Sequence, residues 1–337
     1  MMKGHWMVLL LMLWFVSPLQ AEEDAQTGPI MVPNPATDLW RAVRQRGDRP
    51  VPARSQVQGL DSSELINVNG QRFREYRRER FIQAAGYALA AVLALILLYH
   101  AIRGGLNYER TGRRVPRFEL PDRVAHWLLA SIFLFLALTG LTLLFGRFVL
   151  IPWLGAEAFS PIASASKEGH NLFGPLFIVA LGWVFLRFVS RNLPSRGDLA
   201  WLLRGGGFLG KSHPPAGFFN AGEKIWFWLL SLGGLALILS GLLLDFPFLA
   251  PSRDGEILAL VVHGLAAILL IAFMLGHVYV GTIGVKGTLD SMTEGHVDEG
   301  WARSHHPLWF EEVKGLAEAE ADGEDERLQT GLEEEAK

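Results

Sequence analysis

Four stretches of this 337-residue chain contain no Asp, Glu, Lys or Arg: Phe81 to Ile102, Val124 to Gly146, Ile225 to Leu244, and Ile257 to Val285. Each is long enough for a helix rising ~1.5 Å per residue to cross a hydrocarbon core of ~30 Å. A soluble fold is excluded for the centre of the chain, because runs of this length would leave too much apolar surface in water. With a fifth, shorter run, the spans read as about 81–102, 124–146, 169–186, 225–244 and 257–280. All should be helical, since an isolated lipid-exposed strand cannot satisfy its own backbone groups. The fold class is therefore all-α integral membrane. Glycines within the spans, such as Gly140, Gly182, Gly233, Gly234 and Gly264, permit close helix contact or leave room for a flat cofactor.

The N-terminus has Lys3, an apolar run from Trp6 to Val16, and Leu19-Gln20-Ala21 before an acidic triplet. That layout reads as a secretory signal over residues 1–21. Residues 22–80 are polar, rich in Pro and Arg, and read as an exported, loosely structured segment. Residues 81–102 form a first span, 103–285 hold four further spans, and 286–337 are a tail that ends in an acidic stretch.

Charge sets the topology. Six Arg lie in the 103–123 loop and six basic residues in the 187–224 loop, against two (Arg147, Lys167) and one (Arg253) in the alternate loops. The positive-inside rule puts the first two loops and the tail in the cytoplasm and residues 22–80 outside. Arg72, Arg74, Arg77, Arg78 and Arg80 run against that rule, but inversion would expose twelve loop cations in place of these five.

Cysteine is absent, which removes disulfides, thiolate metal sites, cysteine-ligated clusters and covalent c-type haem. The net charge of −3 leaves no basic footprint for nucleic acid. Metal chemistry falls to His126, His170, His263 and His277, which lie within or at the edges of the spans. They form two pairs by depth: His126 with His277 toward the cytoplasmic side, His170 with His263 toward the outer side. His263 and His277 are 14 residues apart, which returns to within ~40° of the same helix face, ~21 Å along the axis. Two six-coordinate haems stacked across a bilayer require such a helix, each iron taking two imidazole nitrogens. Four intramembrane histidines also suit a proton or metal-ion transporter, although no carboxylate lies inside a span.

Asp122-Arg123-Val124-Ala125-His126-Trp127, Gly169-His170 with Gly174, Phe219-Asn220-Ala221-Gly222-Glu223-Lys224, His263, His277, Glu294-Gly295-His296-Val297, Trp301-Ala302 and His305-His306-Pro307-Leu308-Trp309 together resemble the gamma, or cytochrome b, subunit of membrane-bound respiratory formate dehydrogenases. The resemblance runs from about Arg117 to Val313. It implies a four-helix dihaem cytochrome b core, to which this chain adds one N-terminal transmembrane helix. It implies two haems b, the inner held by His126 and His277 and the outer by His170 and His263. It implies an iron–sulfur (beta) and a catalytic (alpha) subunit as partners, and a bacterial inner membrane with the N-terminal segment periplasmic. Formate oxidation then belongs to another subunit. A quinone, menaquinone or ubiquinone, would be reduced beside the inner haem, near Asn220, Ala221, Gly222 and Glu223. Here Glu223 stands where the family has Gln, and a carboxylate can relay a proton. Asn220 and Glu223 are also good residues to cap the helix that follows. Cytochromes b of hydrogenases and of other periplasmic oxidoreductases share the histidine ligation, and are the neighbouring alternative.

Two other features lead nowhere in particular. Gly205 through Gly210-Lys211-Ser212 matches a phosphate loop, but the preceding core strand that such a loop needs is not expected. His100 reads as interfacial, and His213, His296, His305 and His306 as residues of aqueous loop or subunit contact.

Overall fold

The computed structural model describes residues 68–207, 214–250 and 252–314, all within one unit spanning 57–337. Residues 1–21, read above as a signal, most of the 22–80 segment, His213 and the acidic end lie outside the described residues.

Helix α1 (Val68–Tyr76) runs through a π-helical turn at Arg77–Phe81 into α2 (Ile82–Arg103). The helix thus starts before the apolar run, inside the segment read as loose, because Gln71 and Glu75 pair one turn apart and no Pro or Gly interrupts residues 71–81. A short strand β1 (Arg114–Pro116) precedes α3 (Leu120–Val149). The start of α3 is fixed by a reciprocal capping box between Glu119 and Asp122. Then come α4 (Ile151–Phe188), the short α5 (Arg196–Leu203), α6 (Ala221–Asp245) and α7 (Arg253–Tyr279). The 147–168 stretch, read as loop from its charges, is largely helical. α4 reaches back through it to a kink at Gly155, where φ of +81° is a conformation that side-chain-bearing residues avoid.

Among the described residues, five helices are long and apolar enough to cross a membrane. α3 pairs with α4 and α6 with α7, and α4 packs on α6 to close a four-helix core. α2 lies against α7 at the edge and is the least buried span. Leu129, Phe133, Phe177, Leu181, Leu230 and Leu270 fill the centre. Gly233 and Gly234 admit Leu270 and Leu181 there; a Cβ would stand 3.1 and 2.6 Å from those side chains. The outward Leu95, Leu138, Leu186, Leu232 and Leu258 are exposed, as a lipid-facing surface requires.

The tail folds back. A π-helical turn, Val280–Gly284, leads to α8 (Thr288–Thr293), strand β2 (His296–Asp298) and α9 (Glu299–His305). β2 pairs antiparallel with β1, with Val115 opposite Val297. Val115, Val285, Val297, Trp301, Trp309 and Phe310 form a second core. Burying each such side chain is worth ~1.5–3 kcal/mol, enough to order a ribbon of two three-residue strands that would not stand alone. This corrects the reading of His305 and His306 as aqueous: both are buried and stack on Trp301.

Candidate functional site

The four histidines meet as two pairs. The ring centroids of His126 on α3 and His277 on α7 are 6.1 Å apart, and those of His170 on α4 and His263 on α7 are also 6.1 Å apart. An imidazole nitrogen binds a first-row metal at ~2 Å, so two imidazoles on opposite faces of one ion have centroids roughly 6.3 Å apart. Both pairs therefore have the spacing of a trans bis-imidazole site. Among the described residues no cluster of three or more His, Asp or Glu could hold a bare ion. Two protein nitrogens suit an iron whose other four ligands come from a macrocycle.

At the end away from the ribbon, the ring orientation is set by hydroxyls. Thr139 donates to the Phe135 carbonyl at 2.8 Å and lies 2.9 Å from Nδ1 of His170. Ser240 donates to the Ala236 carbonyl at 2.6 Å and lies 3.1 Å from Nδ1 of His263. A hydroxyl has one proton; given to the backbone carbonyl, it leaves the oxygen to accept from Nδ1–H of the imidazole. That leaves both Nε2 lone pairs available to a metal, the arrangement an outer hydrogen bond imposes on a ligating His. Gly140 and Gly241 follow the two hydroxyl residues, and a Cβ on either would stand 3.3 Å from Cε1 of the same imidazole. Each helix hairpin thus carries a hydroxyl–glycine pair on its first helix and a histidine on its second. Sequence reading missed Thr139 and Ser240; the signal was the repeated Thr-Gly and Ser-Gly in otherwise apolar runs. A cavity of about 360 Å³ adjoins this pair, lined by Gly140, Gly174, Gly241 and Gly264 among apolar side chains. It is of ligand size.

At the ribbon end, His126 Nδ1 is buried with no hydrogen-bond partner. An imidazole nitrogen left so is costly unless a bound group engages the ring. Trp226 stacks on His277 at 5.3 Å with 21° between planes. The Asp122-Arg123-Val124-Ala125-His126-Trp127 motif is explained by anchorage. Asp122 binds Arg187 at 2.6 Å, Arg123 donates to the Glu294 carbonyl at 2.7 Å, and the Trp127 indole donates to the Met292 carbonyl at 2.9 Å. These bonds tie the start of α3 to α4 and to the tail, and so hold His126 in register with His277.

One turn before Trp226, Asn220 and Glu223 cap α6 reciprocally: Glu223 N–H donates to Asn220 Oδ1 at 3.0 Å and Asn220 N–H to Glu223 Oε2 at 2.7 Å. The cap uses the oxygen of the Asn220 side chain and leaves its amide protons outside the pair. Ala221 is buried, and Gly222 lies under Trp201, where a Cβ would approach the indole to 3.2 Å. Lys224 is drawn to Asp198 on α5 at 2.9 Å. Glu223 stands 3.8 Å from Arg117 and 3.9 Å from His306 Nε2.

Arg117 itself is buried, donates to the Phe218 carbonyl at 2.7 Å and lies 4.7–5.4 Å from the ring centres of Phe118, Phe218, Trp301 and Trp309. Burial lowers its pKa to about 10, with the charge of Glu223 opposing that shift, so it remains a cation at neutral pH. His100 lies apart from both pairs, 3.2 Å from the Tyr279 hydroxyl. In the glycine-rich stretch, Gly206 adopts φ of +61° against Trp201, where a Cβ would stand 2.5 Å from the ring. Turn geometry and Trp201 account for that glycine, and the rest of the phosphate-loop match lies outside the described residues.

The family described as prokaryotic cytochrome b561 matches residues 117–295. The nitrate-inducible formate dehydrogenase cytochrome b556(Fdn) subunit of Escherichia coli (strain K12) is 33% identical over 218 residues, covering 63% of this chain and 97% of the relative. The formate dehydrogenase cytochrome b556(fdo) subunit of the same strain is 30% identical over 211 residues, covering 62% and 97%. The formate dehydrogenase cytochrome b556 subunit of Haemophilus influenzae is 29% identical over 209 residues, covering 59% and 83%. With five apolar helices and a family match over more than half its length, the chain belongs to the prokaryotic cytochrome b561 family and is an integral membrane b-type cytochrome.

Proposed function

We propose that this chain is the membrane cytochrome b subunit of a formate dehydrogenase, conducting electrons from an iron–sulfur subunit outside the bacterial inner membrane to a quinone near the cytoplasmic face. The observation that carries this reading is the pair of bis-imidazole sites at two depths, both spaced at 6.1 Å. The names of the three relatives support formate dehydrogenase as the parent complex. Its iron–sulfur (beta) and catalytic (alpha) subunits are the proposed partners. The C-terminal ribbon end is cytoplasmic on this reading, in accord with the loop charges.

Haem b, when bound, supplies a reversible one-electron couple that needs no open coordination position. His126 and His277 would hold an inner haem, and His170 and His263 an outer one. Thr139 and Ser240 fix the tautomer and tilt of the outer pair. Reduction of a quinone to the quinol takes two electrons and two protons. Asn220 offers its amide protons to a ring carbonyl at the turn before Trp226, which touches His277. Glu223, within one water of His306, relays a proton from the cytoplasmic side. Outward electron entry with inward proton uptake moves charge across the membrane.

The reading is tested on the purified chain and on membranes. A pyridine haemochrome assay should give two haems b per chain, falling to one in His263→Ala and in His126→Ala. Formate added to membranes holding the whole complex should reduce both haems. One haem in the wild-type chain, or haems reduced by hydrogen and not by formate, would overturn it.

A further inference from the structure

The family match begins at residue 117, so α1, the π turn and α2 have no role assigned by family membership. Phe73, Tyr76, Arg77 and Phe81 nevertheless line the same cavity as His170 and His263. We propose that α1 and its π turn form a further wall of the outer haem site, with Arg77 pairing with a haem propionate and Phe81 closing the edge beside His263. The proposal rests on the outer haem of the preceding reading.

The local geometry explains why a π turn lies here. Phe73 and Arg77 are four residues apart, which overshoots an α-helical turn by ~40°. The wider turn at Arg77–Phe81 takes more residues per revolution, so the next four undershoot and bring Phe81 back into line. One stripe then faces the cavity over two turns, where a regular helix would have rotated Phe81 away. Phe81 is received at Gly264, where a Cβ would stand 2.9 Å from its Cζ. Any larger residue there would push the ring off the position next to His263. The start of α1 is pinned to the start of α7 by the Asn69 amide, which donates to both carboxylate oxygens of Asp254 at 3.1 Å.

Charge completes the argument. Haem b carries two propionate carboxylates, and the cavity is lined mostly by apolar side chains beside His170, His263 and Asn171. Its lining includes two cations, Arg77 and Lys167, and one carboxylate, Asp245. Neither cation forms an ion pair within the described residues. A guanidinium meets a carboxylate with two parallel N–H bonds, and at the hydrocarbon boundary that pair is screened less than in water. Arg77 belongs to the cluster of five arginines that runs against the topology rule, and a propionate supplies a reason for a cation at this depth.

The test uses the full chain, with the outer haem identified as the one lost in His263→Ala. A nearby cation favours the reduced, less positive haem. In Arg77→Ala and Arg77→Glu the outer haem should therefore become more oxidised at a fixed potential, by about tenfold in the glutamate variant, equal to ~59 mV for one electron. The inner haem should not move, and Arg77→Lys should restore most of the shift. Loss of only the outer haem in Arg77→Glu, rescued by Lys, supports the same pairing. Unshifted potentials and full occupancy in both Arg77→Ala and Arg77→Glu overturn the proposal. Retention of both haems in His263→Ala and in His170→Ala overturns the underlying haem reading instead.

Discussion

At the scale of single residues, the most informative feature is the hydroxyl set beside each outer imidazole. Thr139 and Ser240 each lie within reach of carbonyls three and four residues back, and a hydroxyl that donates to a carbonyl can accept from the imidazole Nδ1–H. On the proposed reading this orients both outer ligands without any charged group in the hydrocarbon. Removing such an outer-shell bond typically lowers metal affinity 10- to 100-fold. Thr139→Val and Ser240→Ala are expected to weaken retention of the outer haem by that order while the inner haem stays in place, read by haem content after dilution in detergent. Both haems held as tightly as in the wild type would show that the hydroxyls only cap backbone carbonyls. The hydroxyl–glycine dipeptides were visible in the sequence, but nothing in their spacing told which histidine each would meet.

At the scale of elements, the N-terminus of α6 carries two roles that the structure separates by atom. The capping oxygen of Asn220 accepts from Glu223, while the amide protons lie outside that exchange. Asp is as good an N-cap as Asn but offers no amide. Asn220→Asp should therefore keep the helix start and slow reoxidation of reduced haem by quinone at least tenfold. Asn220→Ala should do the same and also cost ~1 kcal/mol of stability. Reoxidation at the wild-type rate in Asn220→Asp, with stability unchanged, would assign the turn to capping alone. The ribbon of β1 and β2 is the element least legible beforehand. Each strand has three residues, and their pairing is driven by Trp301, Trp309 and Phe310 arriving from a distant part of the chain. Arg117, one of the six arginines of the 103–123 loop, sits at the centre of an aromatic cage for the same reason.

At the scale of the whole molecule, two helix hairpins repeat one plan, and an additional helix leans on the second of them. On the proposed reading the asymmetry of loop charge orients the chain, with residues 22–80 expected outside and the tail inside. Because cysteine is absent, a single introduced one reports cleanly. A cysteine at Ser55 should react with an impermeant maleimide applied to the periplasmic side, and one at Ser304 only after the cytoplasmic side is opened. The reverse pattern would invert the proposed path of electrons and protons. The continuation of α4 through the 147–168 stretch was hidden from hydropathy, since a helix outside the hydrocarbon needs no charge-free run.

Sequence alone determined the membrane class and the number of spans, and which histidines share a level along the helices. Long charge-free runs have one stable outcome in lipid, and helix rise converts residue number into depth. Tertiary structure decided which hydroxyl meets each outer imidazole, and that α1 borders the cavity at His170 and His263. Those outcomes depend on the rotation of each helix about its axis and on close approaches at Gly140, Gly241 and Gly264. Hydropathy is nearly blind to rotation when a helix is apolar all round, because lipid and protein interior attract such a surface about equally.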